Sequence, residues 1–173
     1  MKALSRIVSV LIFIFGIIGC ARVYEATIKD PGNADLAGFK TYRWVSNSPQ
    51  ITGNIKDDKI SIDSQIRRTV DQILSEKGYS KVDNGGADFL VNYKFDVQQK
   101  TKVLPVGDSY TSVNERTVGK LTLSTINPQL QQLAWSGSSD TEVYSDAFMH
   151  NKIKVFDRAI KVILDSFPES KKK

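Results

Sequence analysis

The sequence predicts an α+β fold, an antiparallel sheet of about four to five strands with two helices packed on one face. Three observations carry the prediction. Residues 62–74 and 153–167 repeat apolar side chains at three- and four-residue steps, as a half-buried helix does. Residues 89–97 alternate apolar and polar side chains, the period of a strand with one wet face. The order along the chain is strand, helix, strands, helix.

Residues 23–28 read as a short strand, closed by Asp30-Pro31-Gly32-Asn33, where Pro presets φ and Gly and Asn tolerate a positive φ. Residues 39–45 read as the next strand, because Tyr42 and Trp44 are two apart and share a face. A polar loop with Pro49 and Gly53 spans 46–56. The first helix is expected over 59–77. Asp57 or Asp58 supplies its N-cap, and Ile62, Ile66, Val70, Ile73 and Leu74 form its apolar stripe. Arg67, Arg68, Asp71, Gln72 and Lys77 fall on the other side, and Gly78 sits at the left-handed C′ position.

Asn84-Gly85-Gly86 turns the chain into a strand over 87–98, in which Phe89, Val91, Tyr93, Phe95 and Val97 alternate with Leu90, Asn92, Lys94, Asp96 and Gln98. One dry and one wet face suit an antiparallel sheet covered on one side. Residues 100–117 are polar, contain Pro105 and Gly107, and keep no sustained period, so they are expected to form the most mobile loop of the domain. The competing reading extends both strands into an ordered hairpin. Strands resume over 118–126, with Leu121 and Leu123 on one face, and over 130–137, with Leu133 and Trp135 on one face; Asn127-Pro128 turns between them. The second helix is expected over 147–166. Its stripe is Ile153, Phe156, Ile160, Ile163 and Phe167, widened by Ala159 and Leu164, and Pro168 ends it.

The N-terminus divides as a secretory signal does: Lys2 and Arg6, an apolar run over 7–18, then Gly19. About a dozen apolar residues fall short of the roughly 20 that cross a bilayer as a helix, so an uncleaved membrane anchor is the weaker reading. The single cysteine, Cys20, closes the run in Ile17-Ile18-Gly19-Cys20, which resembles the bacterial lipobox. The resemblance implies a diacylglycerol thioether on Cys20 and cleavage before it. Buried methylenes contribute about 0.8 kcal/mol each, so several chains anchor effectively permanently. Ala21 follows where an Asp would favour the inner membrane, so the resemblance points to the outer membrane. The expected organisation is a signal peptide over 1–19, a lipidated Cys20 with tether and first strand over 20–38, one α+β domain over 39–167, and a basic tail over 168–173.

The formal charge is +5, but without Lys2 and Arg6 the chain keeps 22 basic against 19 acidic side chains, a net +3. These are dispersed except at Lys171-Lys172-Lys173, which argues against a nucleic-acid partner. One cysteine excludes an internal disulfide.

Several stretches together resemble a family of bacterial lipoproteins, the domain of unknown function 4136. They are Asp30-Pro31, Asp35, Phe39-Lys40-Thr41-Tyr42-Arg43-Trp44, Lys77-Gly78-Tyr79, Ala87-Asp88-Phe89-Leu90-Val91, Gly119-Lys120-Leu121 and Leu133-Ala134-Trp135-Ser136-Gly137. The resemblance spans roughly residues 23–167. One departure is that Asn127-Pro128 stands where the family commonly has an Asp, so no charge-dependent role goes to that turn. The resemblance implies an α+β fold and no activity.

Chemistry-bearing residues are few. Gly107-Asp108-Ser109 echoes the nucleophile block of lipase-like esterases, with His150 the single available base, but the block sits mid-chain and Asp146 to His150 has the wrong spacing. Asp57-Asp58 is explained by capping and the helix dipole. No Cys/His set suits zinc, and no glycine-rich phosphate loop follows a strand. Trp44, Trp135, Tyr42, Tyr93 and Phe95 either line a groove or, more often for sheet aromatics, fill the core. Lys152, Lys154, Arg158 and Lys161 read as a solvated helix face before they read as a lipid-headgroup contact. The expectation is a non-catalytic binding or structural module without cofactor. It is anchored to the membrane through Cys20, faces the periplasm, and takes an envelope protein or glycan as partner class. The alternatives are a carrier of lipid or another hydrophobic ligand and, third, a hydrolase using Ser109.

Overall fold

The structure, a computed structural model, describes residues 26–29, 36–45, 49–53, 59–106, 110–143 and 151–171. Its elements are β1 (Ala26–Lys29), a 3-10 turn (Leu36–Gly38), β2 (Thr41–Trp44), β3 (Ile51–Thr52), α1 (Lys59–Glu76), β4 (Ser80–Lys81), β5 (Phe89–Val106), β6 (Tyr110–Asn127), β7 (Gln132–Glu142) and α2 (Lys152–Asp165). One sheet of seven strands runs β1-β7-β6-β5-β2-β4, with β3 also on β5.

The α+β class and the two helices stand, and the sheet departs from expectation in size and direction. β1–β7, β5–β6 and β6–β7 are antiparallel, but β2–β4, β2–β5 and β3–β5 are parallel. The cause is α1. A helix placed between β2 and β4 brings the chain back to the end where β2 began, so the strands it joins run the same way. The polar stretch after β2 also contains β3, which lies against β5 at Ile51↔Phe95.

Alternation on β5 is as expected. Phe89, Val91, Tyr93, Phe95 and Val97 are buried, and the residues between them are half-buried or exposed. Leu121 and Leu123 extend the dry face onto β6. Both helices cover it: Phe95 meets Phe156 of α2 edge-on at 5.2 Å, and Tyr42 and Trp44 reach Asp71 of α1. On α1 the buried apolar residues are those expected. On α2 the stripe is shifted, because Ile153 is 53% exposed and Val155 is buried in its place. Asn151 caps α2, its Oδ1 accepting from Lys154 N.

The expected pairing of Leu133 with Trp135 on one face is overturned by a bulge. Thr125 lies opposite Trp135 but Ile126 opposite Leu133, so Ala134 is the extra residue and Leu133 turns to the outer face. The loop expected over 100–117 is also corrected. β5 and β6 stay in register from Leu90↔Ile126 to Val106↔Tyr110, which is the hairpin alternative. The turn at Asn127 holds as an Asx turn, its Oδ1 accepting from Gln129 N and Leu130 N.

Past α2 the chain is tied back to the body. Ser170 Oγ donates to Phe39 O at 2.7 Å, Lys171 N to Ala37 O at 2.7 Å, and Lys77 Nζ to Phe167 O at 2.8 Å.

Candidate functional site

The densest set of polar side chains lies where α1 crosses β2 and β5. Asp63, Arg67 and Asp71 follow one another at four-residue steps along the flank of the α1 apolar stripe, so they share a direction. Asp71 Oδ1 accepts from the Tyr42 hydroxyl and from Trp44 Nε1, both at 2.9 Å, and its Oδ2 lies 3.0 Å from Lys81 Nζ. Asp63 Oδ1 accepts from the Tyr93 hydroxyl at 2.5 Å and from Arg67 Nε at 2.8 Å. The Arg67 guanidinium sits 4.7 Å from the centre of the Trp44 ring. Burial, reinforced by the neighbouring carboxylate, pushes both tyrosine hydroxyls well above the ordinary range.

A second cluster joins the starts of β2 and β5. Asp88 Oδ2 accepts from Lys40 N (2.8 Å), Thr41 N (2.9 Å) and Thr41 Oγ1 (2.9 Å), while Asp88 N donates to Thr41 O. The Lys40 amide above all holds this carboxyl below the usual range. A third bridges the helices: Asp157 of α2 accepts from Thr69 Oγ1 (2.6 Å) and Gln65 Nε2 (2.8 Å) of α1.

In each cluster the carboxylate accepts from fixed donors, so the arrangement clamps helix to sheet, strand to strand and helix to helix. Among the described residues no group of three or more His, Cys, Asp or Glu gathers to hold a metal ion, and no helix is long and apolar enough to cross a membrane.

Of the residues singled out in the sequence, Cys20, Asp57, Asp58, Gly107, Asp108, Ser109, Asp146 and His150 lie outside the described residues. Tyr42, Trp44, Tyr93, Phe95 and Trp135 are all in the core, so the aromatic sheet face is filled by the helices and does not line a groove. Trp135 packs edge-on against Phe167 at 4.9 Å. Lys154, Arg158 and Lys161 are exposed, as a solvated face requires. Sequence reasoning missed Asp63 and set Asp71 on the solvent side; the four-residue spacing of Asp63, Arg67 and Asp71 beside the apolar stripe was the available signal.

The sequence landmarks take physical meaning here. Thr41 and Asp88 are two sides of one knot. A Cβ on Gly119 would lie 2.5 Å from Phe95 Cζ, and one on Gly137 would lie 2.7 Å from Ile163 Cγ2 and 2.8 Å from Trp135 Cη2. Both glycines therefore make room for ring and helix packing.

The model of a family described as a domain of unknown function, DUF4136, matches residues 26–169. No curated protein matches the chain. Among solved structures, the PelC dodecamer of Paraburkholderia phytofirmans is similar, with 14% identity, 87% of this chain and 100% of that chain covered, and a TM-score of 0.50. A point variant of the same dodecamer gives 15% identity, the same coverage and 0.51. A PDZ domain protein from Parabacteroides distasonis gives 11% identity and 0.52, over 86% of this chain and 36% of that one. At such identities the likeness is one of fold.

Proposed function

The chain belongs to the DUF4136 family, and on that premise we propose that it is a lipid-anchored envelope protein, a non-catalytic binding or structural module held at the periplasmic face of the bacterial outer membrane through Cys20. The observation that carries this reading is the place of the single cysteine. Ile17-Ile18-Gly19-Cys20 ends an apolar run preceded by Lys2 and Arg6. Ala21 after it supports the outer membrane over the inner. The binding role is supported by what the carboxylates do. Asp63, Asp71, Asp88 and Asp157 hold the fold together, which leaves the outer face of the sheet and the loops as the surfaces for an envelope protein or glycan.

Metabolic labelling with a fatty-acid analogue tests the anchor. Wild type is expected to be marked and Cys20→Ala unmarked, and equal labelling of both overturns it. Crosslinking in intact cells followed by mass spectrometry is expected to recover an envelope component. Ester turnover that Ser109→Ala abolishes overturns the non-catalytic reading.

A further inference from the structure

β5 and β6 stay paired beyond the rest of the sheet. The last pair of β6 with β7 is Val118↔Glu142, and the last pair of β5 with β3 is Asp96↔Thr52. Pairing of β5 with β6 continues from Gln99↔Thr117 to Val106↔Tyr110, a ribbon roughly 25 Å long at about 3.4 Å per residue. Its two halves differ in composition. The inner four pairs, Gln99↔Thr117 to Lys102↔Asn114, hold no apolar residue. The outer four, Val103↔Val113 to Val106↔Tyr110, hold Val103, Leu104, Pro105, Val106, Tyr110 and Val113. Consecutive residues of a strand belong to opposite faces. Val103 with Pro105, and Leu104 with Val106, therefore give the ribbon an apolar end on both faces. A surface packed against a ribbon covers one of its faces, whereas a medium it dips into covers both.

The ribbon leaves the body at the end where the N-terminal segment enters it. Ala26, Ser139, Leu121 and Phe95 form one row across the sheet, and β1 runs from that row away from the ribbon, to Lys29↔Ser136. From Cys20 to Ala26 there are six residue steps, which span at most about 20 Å. Val106 lies eleven residues past Phe95 on the ribbon side, about 37 Å at 3.4 Å per residue. Both helices also begin at this end. Phe156 of α2 packs on Phe95 and Phe167 on Trp135, and α1 lies parallel to α2, with Thr69 on Asp157 and Lys77 on Phe167. Ile60 and Ile153, in the first turns of the two helices, are exposed there.

We propose that the outer half of the ribbon docks in the phospholipid leaflet that holds Cys20, as a second membrane contact beside the lipid. This deepens the anchor reading and rests on it. Because the ribbon outreaches the tether, it meets the membrane at a lean. The contact is shallow, since the edges of a two-stranded ribbon carry backbone N–H and C=O groups that hydrocarbon cannot satisfy. Headgroup depth is also where a tyrosine such as Tyr110 sits best, its ring in the apolar layer and its hydroxyl in the wet one.

The full-length protein in vesicles of phosphatidylethanolamine and phosphatidylglycerol tests this. Leu104→Cys and Val106→Cys, on opposite faces of the ribbon, each carry an environment-sensitive fluorophore on the new thiol. Leu133→Cys, exposed at the other end of the sheet, is the reference. At one ribbon position or both, emission is expected to shift to the blue and to be quenched by lipids with a nitroxide on the headgroup, several-fold more than at position 133. Circular dichroism of the labelled variants is expected to match wild type. Quenching at neither ribbon position of folded protein, or equal quenching at position 133, overturns the ribbon contact and leaves the anchor standing. A wild type that itself takes up the fluorophore has a free Cys20 thiol, and then both readings fall. Positions 104 and 106 shielded from a thiol reagent in intact cells, yet unquenched in vesicles, assign the ribbon to a protein or glycan and overturn the proposal too.

Discussion

Asp88 illustrates how much of this fold rests on single carboxylates. Two backbone N–H groups and one hydroxyl converge on its Oδ2, fixing where β2 starts beside β5. Its folded-state pKa lies below the ordinary value of about 3.9. The native state therefore binds fewer protons than the unfolded one in that range. The stability Asp88 contributes is present above about pH 4 and is lost as pH falls through the folded-state value. Asp96, lowered first by the Thr52 hydroxyl and then by Gln98, acts with the same sign. Asp88→Asn is expected to lower the melting temperature above pH 5 and to converge on wild type as the pH falls, which flattens the acid limb. An acid limb as steep as that of wild type would count against the knot. Asp71 offers a test at constant pH. Asp71→Ala leaves the Tyr42 hydroxyl and Trp44 indole N–H without their acceptor, and a loss of about 1–3 kcal/mol is expected in chemical denaturation.

The helices show what a sequence pattern can and cannot specify. Ile66 and Ile160 have no exposed surface, while Ile153, a nominal member of the same stripe as Ile160, is 53% exposed. Ile66→Asp and Ile160→Asp are each expected to cost several kcal/mol by burying an unpaired charge, and Ile153→Asp to stay within about 0.5 kcal/mol. Equal effects at 153 and 160 would return Ile153 to the core. Both helices and β5 over 89–97 were legible because each repeats its period over many residues, whereas 100–106 of β5 keep no such period. β3 and β4, two residues each, are too short to have one. Strand direction was illegible for a different reason: alternation reports which face is wet, whereas direction is set by the path of α1. The bulge at Ala134 was hidden because one inserted residue changes the face without changing composition. The clamp was legible only in part: the spacing of Asp63, Arg67 and Asp71 marks a shared direction on α1, and what they hold is set by Tyr42, Trp44 and Tyr93 on the strands beneath. The glycines carry a further test. Gly137→Ala places a methyl against Ile163 and Trp135, so overpacking of about 1–3 kcal/mol is expected.

Across the whole molecule, support for the sheet runs out along β5 and β6. At residues 89–97 β5 has neighbours on both edges and helices on its dry face; beyond Gln99 it keeps only β6 among the described residues. Amide exchange separates these regimes residue by residue, because neighbouring amides in the ribbon point opposite ways. Even-numbered amides, such as those of Lys100, Lys102, Ser112 and Asn114, face the ladder and are expected to be protected, though less than those of 91–97. Odd-numbered amides face away from the β5–β6 ladder and are expected to exchange faster than their even-numbered neighbours. Uniformly fast exchange over 100–117 would restore the loop reading of that segment.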